Sequence, residues 1–423
     1  MDAALQVSRS RDHFQKDGKP WFYLADTAWS AFTNCRPDEW EYYLDYRASQ
    51  GFNAVQINIL PQWDRSAEDF SPQPFALRGN GTWDFSRMQD AYFEKAVSMV
   101  SAARQRGLVP ALVVLWCDFV KDTWACRRMP DHEMPLEAVQ PYAAFVAREF
   151  GKHDPIFIIS GDTDFPSTEA IARYNAALTA VKEGCPRALT TFHLQPRADL
   201  PPEISGAAQL DFYMFQSGHS LPQDTPYRLA ERFAAKQIKR PAVNGEPCYE
   251  GHGHGNSYGR FSAFEVRRAI WQSLLSGAKA GVTYGAHGVW SWHRPGLPFG
   301  SAAFSSFPYS WETALQFRGA WDAGYAKQVF ETYGLFDIQA QGAPVSGRED
   351  IRLASSPDNA KVVVYAPYAT ELELPMDLSR HQTFFIDLDE RRALKASIRK
   401  GNSGTVVAMP QINADTLFLA LGA

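Results

Sequence analysis

The run LVPALVVLW at 108–116, which leads into Cys117-Asp118, decides how the rest of the chain is read. Nine nearly unbroken apolar residues bounded by polar sequence describe a strand buried on both faces, as in a parallel sheet covered by helices. Similar runs recur on either side of it. WFYL (21–24) and AVQINIL (54–60) precede it; PIFIIS (155–160), ALTTFHL (188–194), LDFYMF (210–215), RPAVNGE (240–246) and GVTYG (281–285) follow.

Helical patterns fill most of the gaps. One begins at Pro37, a good first helical residue, and runs to about Ala48. After a long polar loop to about Ser86, a second extends to Gln105 with Met88, Tyr92, Ala96, Val100 and Ala103 at spacings of three and four. Others are expected around 137–150, from a Ser167 cap to Gly184 as a C′ residue, and from about Pro226 to Lys239. Ser262-x-x-Glu265 is a capping box opening a helix to about Ala280, and a last helix spans about Trp311 to Thr332. The helix after the fifth strand is short or absent. Asp17-Gly18 sets a hairpin turn ahead of the first strand.

Eight strands alternating with helices predict an α/β fold, a (β/α)8 TIM barrel over residues 1–337. A doubly wound sheet would want a glycine-rich phosphate turn after an early strand, and Ala25-Asp26-Thr27 is not one. From about Gly342 the texture changes to short strand-like segments separated by Pro, Asn, Gly and Asp. Residues 338–423 are therefore expected to form a small antiparallel β-sandwich.

Composition narrows the function. The 423 residues carry 42 Lys and Arg against 47 Asp and Glu, a net charge of -5, so nothing resembles the basic footprint of a nucleic-acid binder. No apolar run is long enough to span a membrane, so no membrane partner is expected. The start lacks the apolar core of a signal peptide, which makes the cytoplasm the expected location unless a leader was removed. Five scattered cysteines without CxxC spacing argue against disulfide frameworks and zinc ribbons. The oligomeric state is not legible.

A barrel of this kind works at the C-terminal ends of its strands. Those ends present Asp26 and Trp29; Gln56 and Asn58; Trp116 and Asp118; Asp162 and Asp164; His193; Gln216; Glu246, Tyr249 and Glu250; and, after the eighth strand, His287, Trp290 and Trp292. Carboxylates thus end strands four and seven, across the mouth from one another. Glycosidic hydrolysis needs such a pair: one acid to protonate the leaving oxygen, the other to attack the anomeric carbon or activate water. Asp162 and Glu246 are the candidate catalytic pair, with Asp164 and Glu250 as substitutes. Indoles and phenols suit sugar faces, and Asn, Gln, His and Asp suit hydroxyls. Asp26 either binds a hydroxyl or fixes the first loop. His252 and His254, with His193 and His219, suggest a zinc site, but such barrels carry an HxH pair on strand one, where this chain has Ala25-Asp26-Thr27. Neither metal nor cofactor is expected, and an oligosaccharide or polysaccharide is the expected partner.

Lys19-Pro-Trp-Phe-Tyr-Leu-Ala-Asp-Thr-Ala-Trp29, Glu41-Tyr-Tyr-Leu-Asp-Tyr-Arg47, Gly51-Phe-Asn-Ala-Val-Gln56, Ser160-Gly-Asp162 and Asn244-Gly-Glu-Pro-Cys-Tyr-Glu250 resemble the apiosidase-like (DUF4038) group related to glycoside hydrolase family 140. The likeness covers most of residues 1–335. The C-terminal segment is similar to the β-domain, of the type labelled collagen-binding, that often follows; a sandwich bracing the barrel is the expectation here. The resemblance implies a glycoside hydrolase with Asp162 as acid/base and Glu246 as nucleophile. Ser160 and Thr163-Asp164 depart from the group's pattern beside the leaving-group side, so apiose specificity does not carry over.

Overall fold

A computed structural model describes residues 4–255, 257–345, 347–410, 412 and 414–422. Eight parallel strands form its centre: β1 (Tyr23–Thr27), β2 (Ala54–Asn58), β3 (Val109–Trp116), β4 (Ile156–Gly161), β5 (Thr190–Thr191), β6 (Tyr213–Gln216), β7 (Ala242–Glu246) and β8 (Gly281–Tyr284). Every residue in them is buried, which is why the runs read as continuous rather than alternating. The order is β5-β4-β3-β2-β1-β8-β7-β6. The barrel is nearly closed: β5 and β6 share no ladder among the described residues. The seam is instead held by the Asp211 N–H on the Thr190 carbonyl (3.0 Å) and the Thr191 hydroxyl on the Phe212 carbonyl (2.7 Å).

The outer layer comprises α1 (Pro37–Ser49), α2 (Asp90–Gln105), α3 (Leu136–Phe150), α4 (Thr168–Gly184), α5 (Thr225–Ala234), α6 (Ala263–Leu275) and α7 (Gly319–Thr332). After β5 there is only a four-residue turn, Pro202–Ser205. Ser167 accepts the Ala170 N–H, and Ser262 and Glu265 complete their capping box.

Several boundaries differ from the sequence reading. Met88 belongs not to α2 but to a hairpin, Phe75–Leu77 against Trp83–Met88, inside the loop after β2. The last predicted helix is two, Trp311–Leu315 and α7. Gly184 is not a left-handed cap; a Cβ there would lie 2.7 Å from that of Ala147, so glycine serves the close α3–α4 approach.

Beyond Asp337 the chain turns antiparallel. Strands β9 (Gln339–Gly342), β10 (Arg352–Ser355), β11 (Lys361–Ala366), β12 (Leu372–Leu374), β13 (Gln382–Asp387), β14 (Arg392–Lys395), β15 (Ser397–Lys400), β16 (Thr405–Ala408) and β17 (Thr416–Leu421) form two sheets. Their orders are β9-β10-β11-β17-β13-β14 and β12-β16-β15. One face of the larger sheet, including Val363, Tyr365, Leu417 and Leu419, joins the barrel's core, while Val362, Val364 and Phe418 build a separate one. At this junction Arg267 of α6 bonds both Asp415 (2.5–3.0 Å) and Asp322 of α7 (2.8 Å). Among the described residues no helix is long and apolar enough to cross a membrane.

Candidate active site

A cavity of about 460 Å³ opens at the C-terminal rim, and Asp162 and Glu246 both line it. Gly161, which ends β4, lies against the Trp116 indole; a Cβ there would fall 1.9 Å from the ring, so only glycine lets β4 run this close to β3. The chain then turns through Asp162 at φ 50°, a left-handed conformation that a non-glycine residue takes only when its neighbours hold it. Two contacts do so. The Asp162 N–H donates to His193 Nδ1 (3.1 Å), and Trp124 Nε1 donates to the Asp162 carbonyl (3.0 Å).

Glu246 is placed by a bulge. The β6–β7 register runs Phe215 to Asn244 and then Gln216 to Glu246, leaving Gly245 as the extra residue. The N–H groups of Ser217 and Gly218 both bond the Glu246 carbonyl, and Gln216 Nε2 reaches its Oε1 at 3.0 Å. His219 Nε2 lies 2.7 Å from the same oxygen and His193 Nε2 lies 3.2 Å from Oε2. His219 Nδ1 accepts the Tyr249 N–H (3.2 Å), so a neutral His219 carries its proton on Nε2 and donates it to Glu246.

The two carboxyls are therefore tuned in opposite directions. Burial would raise Glu246, but its close interactions with His193 and His219 outweigh it and hold the pKa at about 2. Asp162 has no such donors, and its Oδ1 lacks a partner. Burial, with the charges of Glu246, Asp64 and Asp164 around it, pushes its proton affinity well up.

Of the other residues expected at the site, Trp29, Trp116, Gln216, Tyr249 and Trp290 line the cavity. Trp29 Nε1 donates to the Tyr249 hydroxyl (3.0 Å) and Trp290 Nε1 to His287 Nδ1 (3.1 Å). His193 and His287 stand behind this wall, fully buried; His287 Nε2 lies 2.9 Å from the Ser306 carbonyl. The structure does not bring the remainder to the cavity. Asp26 is buried in an ion pair with Arg47 (2.6 Å) and accepts the Tyr43 hydroxyl. Gln56 bonds Thr27 and the Gly245 carbonyl, Asn58 bonds Gln62, and Asp118 sits 2.8 Å from His132 Nδ1. Glu250 accepts from Tyr284 and the Gly319 N–H, anchoring the start of α7, and Asp164 is exposed outside the cavity. Trp292 is core rather than pocket wall: at φ 49° it turns inward, stacks on Trp311 (5.1 Å) and donates to Glu39.

The cavity also uses residues that were not chosen as site candidates: Gln62, Trp63, Asp64, Trp124, Arg128, Gln195, His219, His252, Ser301 and Phe304. Trp63 and Trp124 meet edge to face at 5.4 Å beneath the Arg128 guanidinium. His219 was visible as a strand-end residue, whereas the role of Asp64 depends on loop conformation. His252 stacks on His219 at 4.3 Å. Among the described residues no group of three His, Cys, Asp or Glu is disposed to hold a metal ion.

Fold and cavity together are those of a glycosidase. The apiosidase-like catalytic domain matches residues 8–337, and the chain belongs to that family. Among solved structures it is similar to a glycoside hydrolase (20% identity, TM-score 0.83, covering 100% of this chain and 97% of that one). It is also similar to a glycoside hydrolase family 5 protein from Bacteroides vulgatus ATCC 8482 (20%, 0.81, 99% and 93%). A family 5 mannosidase from Rhizomucor miehei is more distant (13%, 0.55, 78% and 99%). These likenesses are of fold. No curated protein matches the chain in sequence.

Proposed function

We propose that the protein removes a terminal sugar from an oligosaccharide or polysaccharide with retention of anomeric configuration. Glu246 is the nucleophile and Asp162 the acid/base. The observation that carries this reading is two carboxyls lining one cavity in opposed surroundings: neighbouring acids and burial raise the proton affinity of Asp162, while His193 and His219 favour the anion of Glu246. Asp162 gives its proton to the leaving oxygen as Glu246 forms the glycosyl-enzyme; Asp162, now a carboxylate, then takes a proton from the water that releases the sugar. A carboxylate held near pKa 2 is a feeble proton acceptor, which disfavours Glu246 as the base of a single displacement and favours it as the attacking anion. A cavity of about 460 Å³ walled by Trp29, Trp116 and Trp290 suits a small glycon more than the middle of a long chain.

The test is a panel of aryl glycosides. On the glycoside that the wild type turns over, Asp162→Asn loses roughly 10²–10⁴-fold in kcat/KM, and Glu246→Gln loses more. Azide restores turnover to a Glu246→Gly variant, giving a glycosyl azide of opposite configuration. Near-wild-type rates in either the Asp162→Asn or the Glu246→Gln variant remove that residue from the mechanism. An inverted first sugar product, followed by NMR, overturns retention, and release of internal fragments overturns terminal cleavage.

A further inference from the structure

Asp64 is a third acid in the same cavity, carried by the loop after β2. Its surroundings differ from those of both catalytic carboxyls. Ser301 Oγ donates to Oδ2 at 3.2 Å, while Oδ1 is enclosed and has no hydrogen-bond partner. The loop does not hang free. Ser66, two residues on, donates its N–H to the Ser291 carbonyl, its own carbonyl accepts from Asn34 Nδ2 at 2.8 Å, and its hydroxyl lies 3.0 Å from His293 Nδ1. The backbone on which Asp64 sits is thus tied to the loops after β1 and β8. A carboxylate oxygen left without a donor in such a place is costly unless something in the working enzyme supplies one. The protein supplies none: among the described residues no Lys or Arg pairs with Asp64, and Arg128, the cation lining the same cavity, stacks on Trp63 and Trp124.

We infer that Asp64 is a specificity-determining residue whose unpartnered Oδ1 accepts a hydroxyl of the sugar bound between Asp162 and Glu246. This rests on the glycosidase reading above and sharpens it. With three carboxyls around one small cavity, the glycon is a neutral, hydroxyl-bearing sugar; a uronic acid in this position would place a fourth acid among them. The electrostatics agree. Burial, together with the charges of Asp118 and Glu246, raises Asp64 to about 7, against the opposing Ser301 hydrogen bond, and an ionised Asp64 in turn raises Asp162. Asp64 therefore grips substrate and helps keep the acid protonated.

The experiment uses the full chain and the aryl glycoside selected by wild-type turnover. Asp64→Ala lowers kcat/KM by about 10²-fold or more, mostly in kcat, because a hydroxyl contact that tightens as the oxocarbenium ion forms is felt in the transition state. Asp64→Asn, which keeps a carbonyl acceptor, recovers part of that loss. In both variants the alkaline limb of the pH profile, set by Asp162 losing its proton, moves to lower pH because one like charge has gone; Glu246 and Asp164 remain to act on Asp162. Thermal melting near neutral pH stays at or above that of the wild type. A second arm measures calorimetric binding of the same glycoside to Glu246→Gln with and without Asp64→Ala, and the added change weakens binding by a few-fold, less than the fall in kcat. Rates within threefold of wild type with an unmoved alkaline limb, or an activity loss that only follows a fall in melting temperature, overturn the inference. The glycosidase reading fails separately, if Asp162→Asn and Glu246→Gln keep wild-type rates or the glycoside binds neither protein.

Discussion

Two clusters of acids, one buried at the domain junction and one half-buried at the rim, make an instructive pair. At the junction with the β-domain, Asp322 and Asp415 are buried at least as deeply as any acid of the cavity, yet Arg267 bonds both, Arg391 Nη2 adds a bond to Asp322 at 3.0 Å and the Tyr365 hydroxyl one to Asp415 at 3.1 Å. At the rim, Asp64, Asp162 and Glu246 have no lysine or arginine partner among the described residues, and two of them hold their protons above the ordinary carboxylate range. Enclosed carboxylate oxygens are common to both clusters; the supply of donors separates them. Arginine converts an acid into a fixed strut; at the rim, histidines favour the anion of Glu246, and only Asp64 and Asp162, without either kind of partner, have raised proton affinity. Asp26 shows how decisive this is: it ends a strand, yet its pairing with Arg47 places it with the struts.

The largest stability effect belongs to the strut cluster. Arg267→Ala leaves buried Asp415 with no cation and only the Tyr365 hydroxyl, and leaves Asp322 with Arg391 alone; it should cost about 3–5 kcal/mol, read as a lower urea midpoint of the whole chain. Replacing Arg267 by Met and Asp415 by Leu together should cost less than the single change, because Asp322 keeps Arg391 and no unpaired charge remains at 415. An Arg267→Ala protein with wild-type stability would erase the contrast between the two clusters.

The same contrast predicts opposite pH dependences. Glu246 has its folded-state pKa depressed from 4.5 to about 2, so its contribution is fully present above 4.5 and lost as pH falls through 2. Asp64 is raised from 3.8 to about 7, so its ionisation opposes folding: stability declines as pH rises from 3.8 through 7. Glu246→Gln should therefore melt below the wild type at pH 7, with the gap closing near pH 2. Asp64→Asn should melt above the wild type at pH 8 and match it below pH 4. Differential scanning calorimetry across that range checks both signs, and a common sign for the two variants would break the account.

How much of this was legible beforehand follows from where each determinant lies. The barrel was readable because doubly buried strands leave continuous apolar runs such as 108–116, and the place of Asp162 and Glu246 at one cavity was readable because a strand end fixes which rim a residue joins. Strand ends say less about direction. Trp292, two residues beyond Trp290, turns at positive φ into the core while Trp290 faces the cavity. Asp64 stands in the segment that ends the second strand, but its place in the cavity was out of reach: the partner that holds it, Ser301, lies 237 residues away on a different loop. His219 sits at a visible strand end, but its grip on Glu246 depends on the β7 bulge, which leaves no signal beyond one glycine.

The smallest expected effect is the most discriminating test of the distinction between lining a cavity and lying beside it. Asp164 acts on Asp162 through charge as Asp64 does, yet it is exposed and lines no part of the cavity. Water and salt screen an exposed charge, so its field at Asp162 is weak and fades with ionic strength. Asp164→Asn should change kcat/KM by about threefold or less, and should move the alkaline limb slightly to lower pH at low salt and not at all at high salt. Asp64→Asn should keep its shift under both conditions, because a charge enclosed by protein is screened far less. If the two variants respond alike to salt, enclosure is not what gives the rim acids their proton affinity, and the opposed tuning of Asp162 and Glu246 would need another cause.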